Sequence, residues 1–253
     1  MTPIDFTGLS TQRLEDMFEA GTQVLEVMRA YQNSKEPMNV SKDILRFSDE
    51  FKVWEHIPKG DVFDKNSHSQ FYFHAHAKTQ DNSGIHDDEH GHFHTFMRGH
   101  AFPEGVLPVT TEDFDPNVEM KKDKFKKNDF VTHIIAIATD NTGKPIRLFT
   151  TNRWVVADTW VKAEDIIAML DNFEIDHTQP SWAVNIWISN MMRFYRPQIE
   201  TLILERDRTI ARWQEKYPNR NVYNDKELEV TSLLDIDLEQ QLNAIEVALA
   251  ERP

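Results

Sequence analysis

Histidine is the residue type whose spacing in this chain could do chemistry. The sequence contains 11 histidines, and most of them lie in its first half. Two segments, FHAHA and HGHFH, place histidines at alternate positions, and alternate side chains of an extended strand share one face. The candidate metal ligands from these two segments are His74, His76, His90, His92 and His94.

Imidazole rings from two neighbouring strands could bind one metal ion. Facing side chains of antiparallel strands lie about 4.5–5.5 Å apart, and histidine nitrogen bonds zinc at roughly 2.0–2.1 Å. The sequence has no cysteine, which excludes thiolate zinc sites, iron–sulfur clusters and thiol nucleophiles. Imidazole suits zinc, iron, copper and nickel, whereas calcium and magnesium prefer oxygen. We therefore predict a divalent transition metal, iron or zinc, with copper and nickel as alternatives.

One more histidine could join this group from a third strand. His133 lies within FVTHIIAIAT, a β-branched segment, and strict alternation puts Ile135 and Ile137 on its face. A histidine buried among apolar side chains needs a partner, because burying it without one is costly. We therefore include His133 among the candidate metal ligands.

Three further residues are candidates for catalysis. Glu89 directly precedes His90 and could act as a general base through a bound water. Tyr72 shares the predicted face of His74 and could donate a proton, or it could simply be a core aromatic. Arg153, near the end of a predicted strand, could bind an anionic group of a substrate, or it could form a salt bridge with one of many acidic residues.

These residues predict a metal-dependent enzyme that activates water or dioxygen for a small-molecule substrate. A zinc hydrolase or lyase and a non-haem iron oxygenase both fit the ligand type. One alternative is a non-catalytic protein that binds or handles metal. Another is an internal network of histidines and carboxylates without any metal.

The elements that must position the histidines follow from hydrophobic periodicity and turn residues. The sequence predicts helices over residues 11–31, 42–55, 162–173, 181–191 and 198–216, and a last helical stretch from Asn224 or Asp235 to Glu251. It predicts strands over residues 69–78, 90–98, 130–139 and 144–156. The expected fold is α+β, with a central antiparallel β-sheet of about four strands flanked by N- and C-terminal α-helices. We expect one domain over residues 1–253, with an N-terminal helical segment (1–60), a sheet core (69–156) and a C-terminal helical segment (157–253).

Composition narrows the partners and the location. The formal net charge is −14, which disfavours nucleic-acid binding because that binding relies on lysine and arginine neutralising phosphates. No stretch approaches the roughly 20 apolar residues that span a bilayer, and the N-terminus lacks the pattern of a secretory signal. We therefore expect a cytoplasmic protein that binds neither nucleic acid nor membrane. Its oligomeric state is not predicted.

The motifs of this chain resemble those of two protein families. Gly84 and the pair His90 and His92 resemble the opening motif of cupins, but the glutamate that follows in cupins is missing, and Met97 and Arg98 lie near its place. The blocks YFHAHAK, EHGHFHTF, RLFTTNRWV and PSWAVNIW resemble an uncharacterised bacterial domain family that carries HxH, EHGHFHxF and LFTTNRWV blocks in this order. This resemblance covers about residues 70–200. Because the activity of that family is unknown, the resemblance implies no reaction.

Overall fold

One antiparallel sheet organises the chain. The structure, a computed structural model, describes residues 6–36, 38–48, 55–75, 88–112, 115 and 130–252. Within these residues six strands pair in chain order, so each strand hydrogen-bonds with its neighbours along the chain. The strands are β1 (Ile57–Phe63), β2 (Ser69–Ala75), β3 (Gly91–Arg98), β4 (Val131–Thr139), β5 (Pro145–Thr151) and β6 (Val230–Asp235).

Helices lie before, between and after the strands. They are α1 (Thr11–Gln32), α2 (Val40–Leu45), α3 (Arg153–Val156), α4 (Ala163–Met169), α5 (Trp182–Phe194), α6 (Arg196–Lys216) and α7 (Leu238–Ala250). The side chains of Ser10 and Ser181 accept backbone hydrogen bonds at the starts of α1 and α5, as expected of serine N-caps. In the part of the chain that the structure describes, no helix combines the length and the apolar character needed to cross a membrane.

One face of the sheet is apolar and is covered by helices. The Phe93 ring on β3 lies 5.3 Å from the Trp187 ring on α5, measured between centroids. Helix α1 packs against α5 and α7. Burial of a large apolar side chain stabilises a fold by about 1.5–3 kcal/mol, and the fully buried set on this side includes Phe71, Phe73, Phe93, Ile135, Ile137, Leu148 and Trp187. This core fixes the sheet and leaves its other face for the histidines.

The predicted α+β class with an antiparallel sheet and terminal helices is confirmed, but the sheet has six strands rather than about four. The two additional strands, β1 and β6, are the edges of the sheet. The β1 sequence, IPKGDVF, contains residues that are depleted in strands, and β6 lies inside the stretch predicted to be helical from Asn224. The edge strands β1 and β6 each pair with one neighbour only. We therefore infer that pairing with the sheet stabilises them more than their own sequence pattern does.

Two predicted element ends also differ from the structure. The helix predicted over residues 42–55 ends at Leu45, and residues 49–54 lie outside the described part. The strand predicted over residues 144–156 ends at Thr151. There the Asn152 side chain accepts a hydrogen bond from the Arg153 N–H and begins the short helix α3, because an asparagine N-cap satisfies a backbone donor that a strand would leave unpaired.

Candidate metal centre

Three histidines meet on the face of the sheet opposite the apolar core. His74 on β2 and His92 and His94 on β3 each offer a nitrogen, and these atoms lie within 4.8 Å of one another. His92 and His94 are buried, and His74 is partly buried. Among the described residues, no other group of three histidines or carboxylates comes this close together.

The register of β2 and β3 produces this convergence. The Cα atom of His74 pairs directly with that of His92, and Tyr72 pairs with His94. As a result the ring centroids of His74 and His92 are 5.3 Å apart, and those of His92 and His94 are 4.5 Å apart. The pairing of the two histidine segments, which the sequence left open, is thus observed between β2 and β3.

The donor set fits a transition metal. Two bonds of about 2.1 Å separate their donor atoms by at most roughly 4.2 Å, so a small rotation of the rings would bring the three nitrogens to one ion. All three donors are imidazoles, which suit zinc or iron better than calcium or magnesium. Three histidines leave a coordination position open, as in catalytic zinc sites.

Glu89 orients one of the three rings. Its Oε1 atom lies 2.6 Å from Nδ1 of His92, and the two side chains are 1% and 5% exposed. This contact uses Nδ1 of His92, and Nε2 is the nitrogen of this ring that could bind an ion. A carboxylate behind a metal-binding histidine is a common arrangement, because it fixes the orientation of the ring and raises its basicity.

His133 contacts the second ring, that of His94. The Nε2 atom of His133 lies 3.0 Å from Nδ1 of His94, so one of the two nitrogens carries a proton and the other accepts it. A β-bulge makes this contact: Thr95 pairs with Ile135, but the next residue, Phe96, pairs with His133. The additional residue in β4 turns His133 to the opposite face from Ile135, so the prediction that the two share a face was wrong.

Asp158, which follows α3 in the chain, stabilises the bulge in β4. Its Oδ2 atom accepts the His133 backbone N–H over 2.7 Å. Burial raises the pKa of the Asp158 carboxyl to about 7. A bulge removes a backbone donor from the regular ladder, and this carboxyl satisfies that donor.

Burial keeps the clustered histidines neutral. It lowers the pKa of His92 to about 3 and that of His133 to about 3, with Arg206 adding to the effect on His133. Burial also lowers the pKa of His94 well below its ordinary value, and the neighbouring imidazoles lower it further. Since a metal ligand must be deprotonated, these rings are ready to bind a cation at neutral pH.

A cavity of about 250 Å³ opens beside the three histidines. Tyr72 lines it and is buried, and burial raises the pKa of its hydroxyl, so Tyr72 keeps its proton at neutral pH. The ring of His56 stacks on Tyr72 with centroids 3.6 Å apart and planes 7° apart. The Nδ1 atom of His56 lies 2.8 Å from Oδ1 of Asp61. The cavity thus combines a possible metal site with a tyrosine hydroxyl and a further histidine ring.

The remaining predicted residues lie elsewhere. His90 precedes β3, is partly exposed and donates its backbone N–H to the Thr139 carbonyl over 2.8 Å. Arg153 in α3 donates to Oδ1 of Asn224 over 2.6 Å and is not among the residues that line the cavity. His76 lies outside the described residues.

Sequence reasoning did not assign three residues that line this cavity, namely His56, Thr151 and Glu229. His56 stands alone in its segment, so no spacing marks it. Thr151 and Glu229 are 78 positions apart in the sequence, and only the pairing of β5 with β6 brings them to one place.

Comparison with known proteins places the chain in a family. The model of a domain of unknown function, DUF6969, matches residues 18–236. No curated protein and no solved structure matches the chain.

Proposed function

The chain belongs to the DUF6969 family, a domain of unknown function, and we propose that it is a divalent-metal-dependent enzyme that activates water or dioxygen. The observation that carries this proposal is the convergence of His74, His92 and His94 within 4.8 Å of one another. Packing alone gives no reason to bring three imidazoles together, since a buried imidazole requires a hydrogen-bond partner.

An all-nitrogen donor set supports zinc over iron. Non-haem iron oxygenases commonly use two histidines and one carboxylate, whereas no carboxylate belongs to the described group that could share an ion, and Glu89 contacts Nδ1 of His92 over 2.6 Å. Bound at this site, zinc would supply a Lewis acid that brings the pKa of water to about 7. We therefore propose a zinc-dependent hydrolase or lyase, with the iron oxygenase as the alternative that metal analysis distinguishes.

The residues around the triad, as we call His74, His92 and His94, have separable roles in this proposal. Glu89 and His133 fix the rings of His92 and His94 through their Nδ1 atoms. Tyr72, whose hydroxyl stays protonated, donates a hydrogen bond or a proton to the substrate. His56, held by Asp61, presents its ring at the wall of the cavity and can contact the substrate there. The substrate is a small molecule, because the cavity measures about 250 Å³.

The cavity favours an enzyme over a protein that only carries metal. A carrier has to release its ion to a partner, and buried ligands such as His92 and His94 oppose that release. A reactant can instead reach the ion through the cavity. We propose that the protein is located in the cytoplasm. The chain has no cysteine, so it needs no oxidising compartment in which disulfides form.

Metal analysis of untagged protein tests the proposal. We expect close to one equivalent of zinc per chain in the wild type, and its loss in His92→Ala and in His74→Ala. His100→Ala is the matched control, because His100 is exposed and lies outside the triad. Metal content that stays unchanged in both triad variants would overturn the proposed site. Metal that passes within minutes to a chelator, with no turnover of ester or carbonyl substrates, would favour the metal-handling protein.

A further inference from the structure

The cavity carries polar groups besides the three histidines. Thr151, the last residue of β5, and Glu229, just before β6, line it together with His92. The Cα atom of Thr151 pairs with that of Val230, and the Asn152 N–H donates to the Glu229 carbonyl over 2.8 Å. The two residues are thus neighbours across β5 and β6 and line the same cavity; they are here called the Thr151–Glu229 patch.

Thr151 presents a hydroxyl that the protein does not satisfy. The residue is 4% exposed, and its Oγ1 atom has no hydrogen-bond partner among the described residues. A buried hydroxyl without a partner costs about 1–3 kcal/mol. A hydroxyl in this state, on the wall of a cavity, points to a ligand that supplies the missing hydrogen bond.

Glu229 adds an acceptor without a cation beside it. No described residue pairs with its carboxylate. The residue as a whole is exposed, and its partial burial raises the pKa of that carboxyl above its ordinary value. Among the described residues that line the cavity there is no lysine and no arginine. A positive or hydrogen-donating group on a ligand would complement this wall, while an anionic group would meet a like charge.

The cavity also has apolar lining residues, and the space is small. Phe149, Val155 and Val230 line it. Its volume of about 250 Å³ is slightly below the range of roughly 300–1,000 Å³ found for most ligand pockets. A compact molecule with a short hydrocarbon or aromatic middle fits this wall.

We propose that the substrate is a small amine, whose ammonium group binds the Thr151–Glu229 patch while its reacting end faces His74, His92 and His94. Thr151 accepts one N–H hydrogen bond, and Glu229 accepts another and balances the charge. This assignment rests on the proposed function, because it needs a metal site at the three histidines.

Cobalt-loaded protein provides a test that does not require the reaction to be known. Three pyridines of similar size would be titrated against the visible absorption of bound Co²⁺: 3-(aminomethyl)pyridine, 3-methylpyridine and pyridine-3-carboxylate. The ring nitrogen of each can reach the metal, and the meta substituent cannot chelate it. We expect the amine to bind about tenfold more tightly than the methyl compound and the carboxylate to bind most weakly.

Variants locate the origin of this preference. Glu229→Gln should remove the advantage of the amine over 3-methylpyridine, and Thr151→Val should reduce it. Glu227→Gln is the matched control, because Glu227 carries the same charge nearby but pairs with Arg220 and does not line the cavity. This control should bind all three pyridines as the wild type does.

The outcomes separate the two proposals. If wild-type protein takes up no Co²⁺, or if His92→Ala takes it up equally well, the metal site itself is wrong and the amine assignment fails with it. A normal cobalt spectrum with no pyridine binding, with the carboxylate bound best, or with an amine preference that Glu229→Gln leaves intact overturns the amine assignment alone.

Discussion

The Nδ1 atom of His94 lies 3.0 Å from Nε2 of His133, although regular alternation along β4 would turn His133 to the other face of the sheet. A single bulge beside Thr95 brings the two rings together. In consequence His133 contacts a ring of the proposed metal site and is not one of the three histidines that could share an ion. This relationship makes a distinct prediction for His133.

Replacing His133 should weaken metal binding without abolishing it. In His133→Leu the Nδ1 of His94 loses its partner, and we expect metal affinity to fall by roughly 10–100-fold. His133→Gln keeps a hydrogen-bonding side chain and should recover part of that loss. Competition against a chromophoric chelator measures both. Complete loss of metal in both variants would instead make His133 a ligand.

Replacing Glu89 should also weaken metal binding, because Glu89 fixes the ring of His92 as His133 fixes that of His94. Glu89→Gln keeps the size of the side chain but removes the charge that His92 contacts over 2.6 Å. We expect roughly 10–100-fold weaker metal binding, measured by the same competition. Asp88→Asn is the control, because Asp88 is exposed and one position away. Equal affinities for these two variants would rule out an orienting role for Glu89.

The metal-free protein should lose stability in mild acid. The pKa values of His92 and His133 fall from an ordinary 6.5 to about 3 on folding, so the unfolded chain binds more protons between these values. The free energy of unfolding therefore declines as pH falls below 6.5, by up to roughly 1.4 kcal/mol per pH unit for each histidine.

Asp158 has the opposite effect on the pH dependence of the free energy of unfolding, so replacing it provides a comparison. Its pKa rises from 3.8 to about 7 on folding, so the stability that it contributes is present below 3.8 and is lost as pH rises through 7. Asp158→Asn removes this opposing term and should steepen the decline between pH 7 and pH 5. Urea unfolding in the presence of a chelator measures both slopes. A free energy of unfolding that stays constant over this pH range would contradict the buried, neutral histidines.

Gly91 should tolerate no side chain. A Cβ atom there would lie 2.5 Å from the His74 carbonyl oxygen and 2.5 Å from Cζ of Phe73. We expect Gly91→Ala to cost about 1–3 kcal/mol and to lower metal content, because β2 must shift away from β3. Gly8→Ala is the control, since a Cβ atom at Gly8 meets nothing within 4 Å. Urea unfolding and metal analysis that do not distinguish the two variants would refute the close approach of the strands.

The sequence predicted the parts of the fold that carry strong local patterns. The four central strands were identified from aromatic and β-branched residues, and the helices α1, α5 and α6 from apolar periodicity and serine or proline at their starts. The edge strands β1 and β6 were missed because their sequences lack such a pattern. Local sequence pattern therefore identified the central strands of the sheet. The edge strands could not be identified this way, because they depend on pairing with the central strands.

By itself the sequence marked the histidines as candidate metal ligands and determined that His92 and His94 would share a face, because alternation is a local property of a strand. Only the tertiary structure decided that His74 stands opposite His92, that a bulge turns His133 toward His94, and that Thr151 and Glu229 border the same cavity. The physical reason is that register, bulges and cavity walls depend on pairing between residues distant in the chain. No local spacing encodes that pairing.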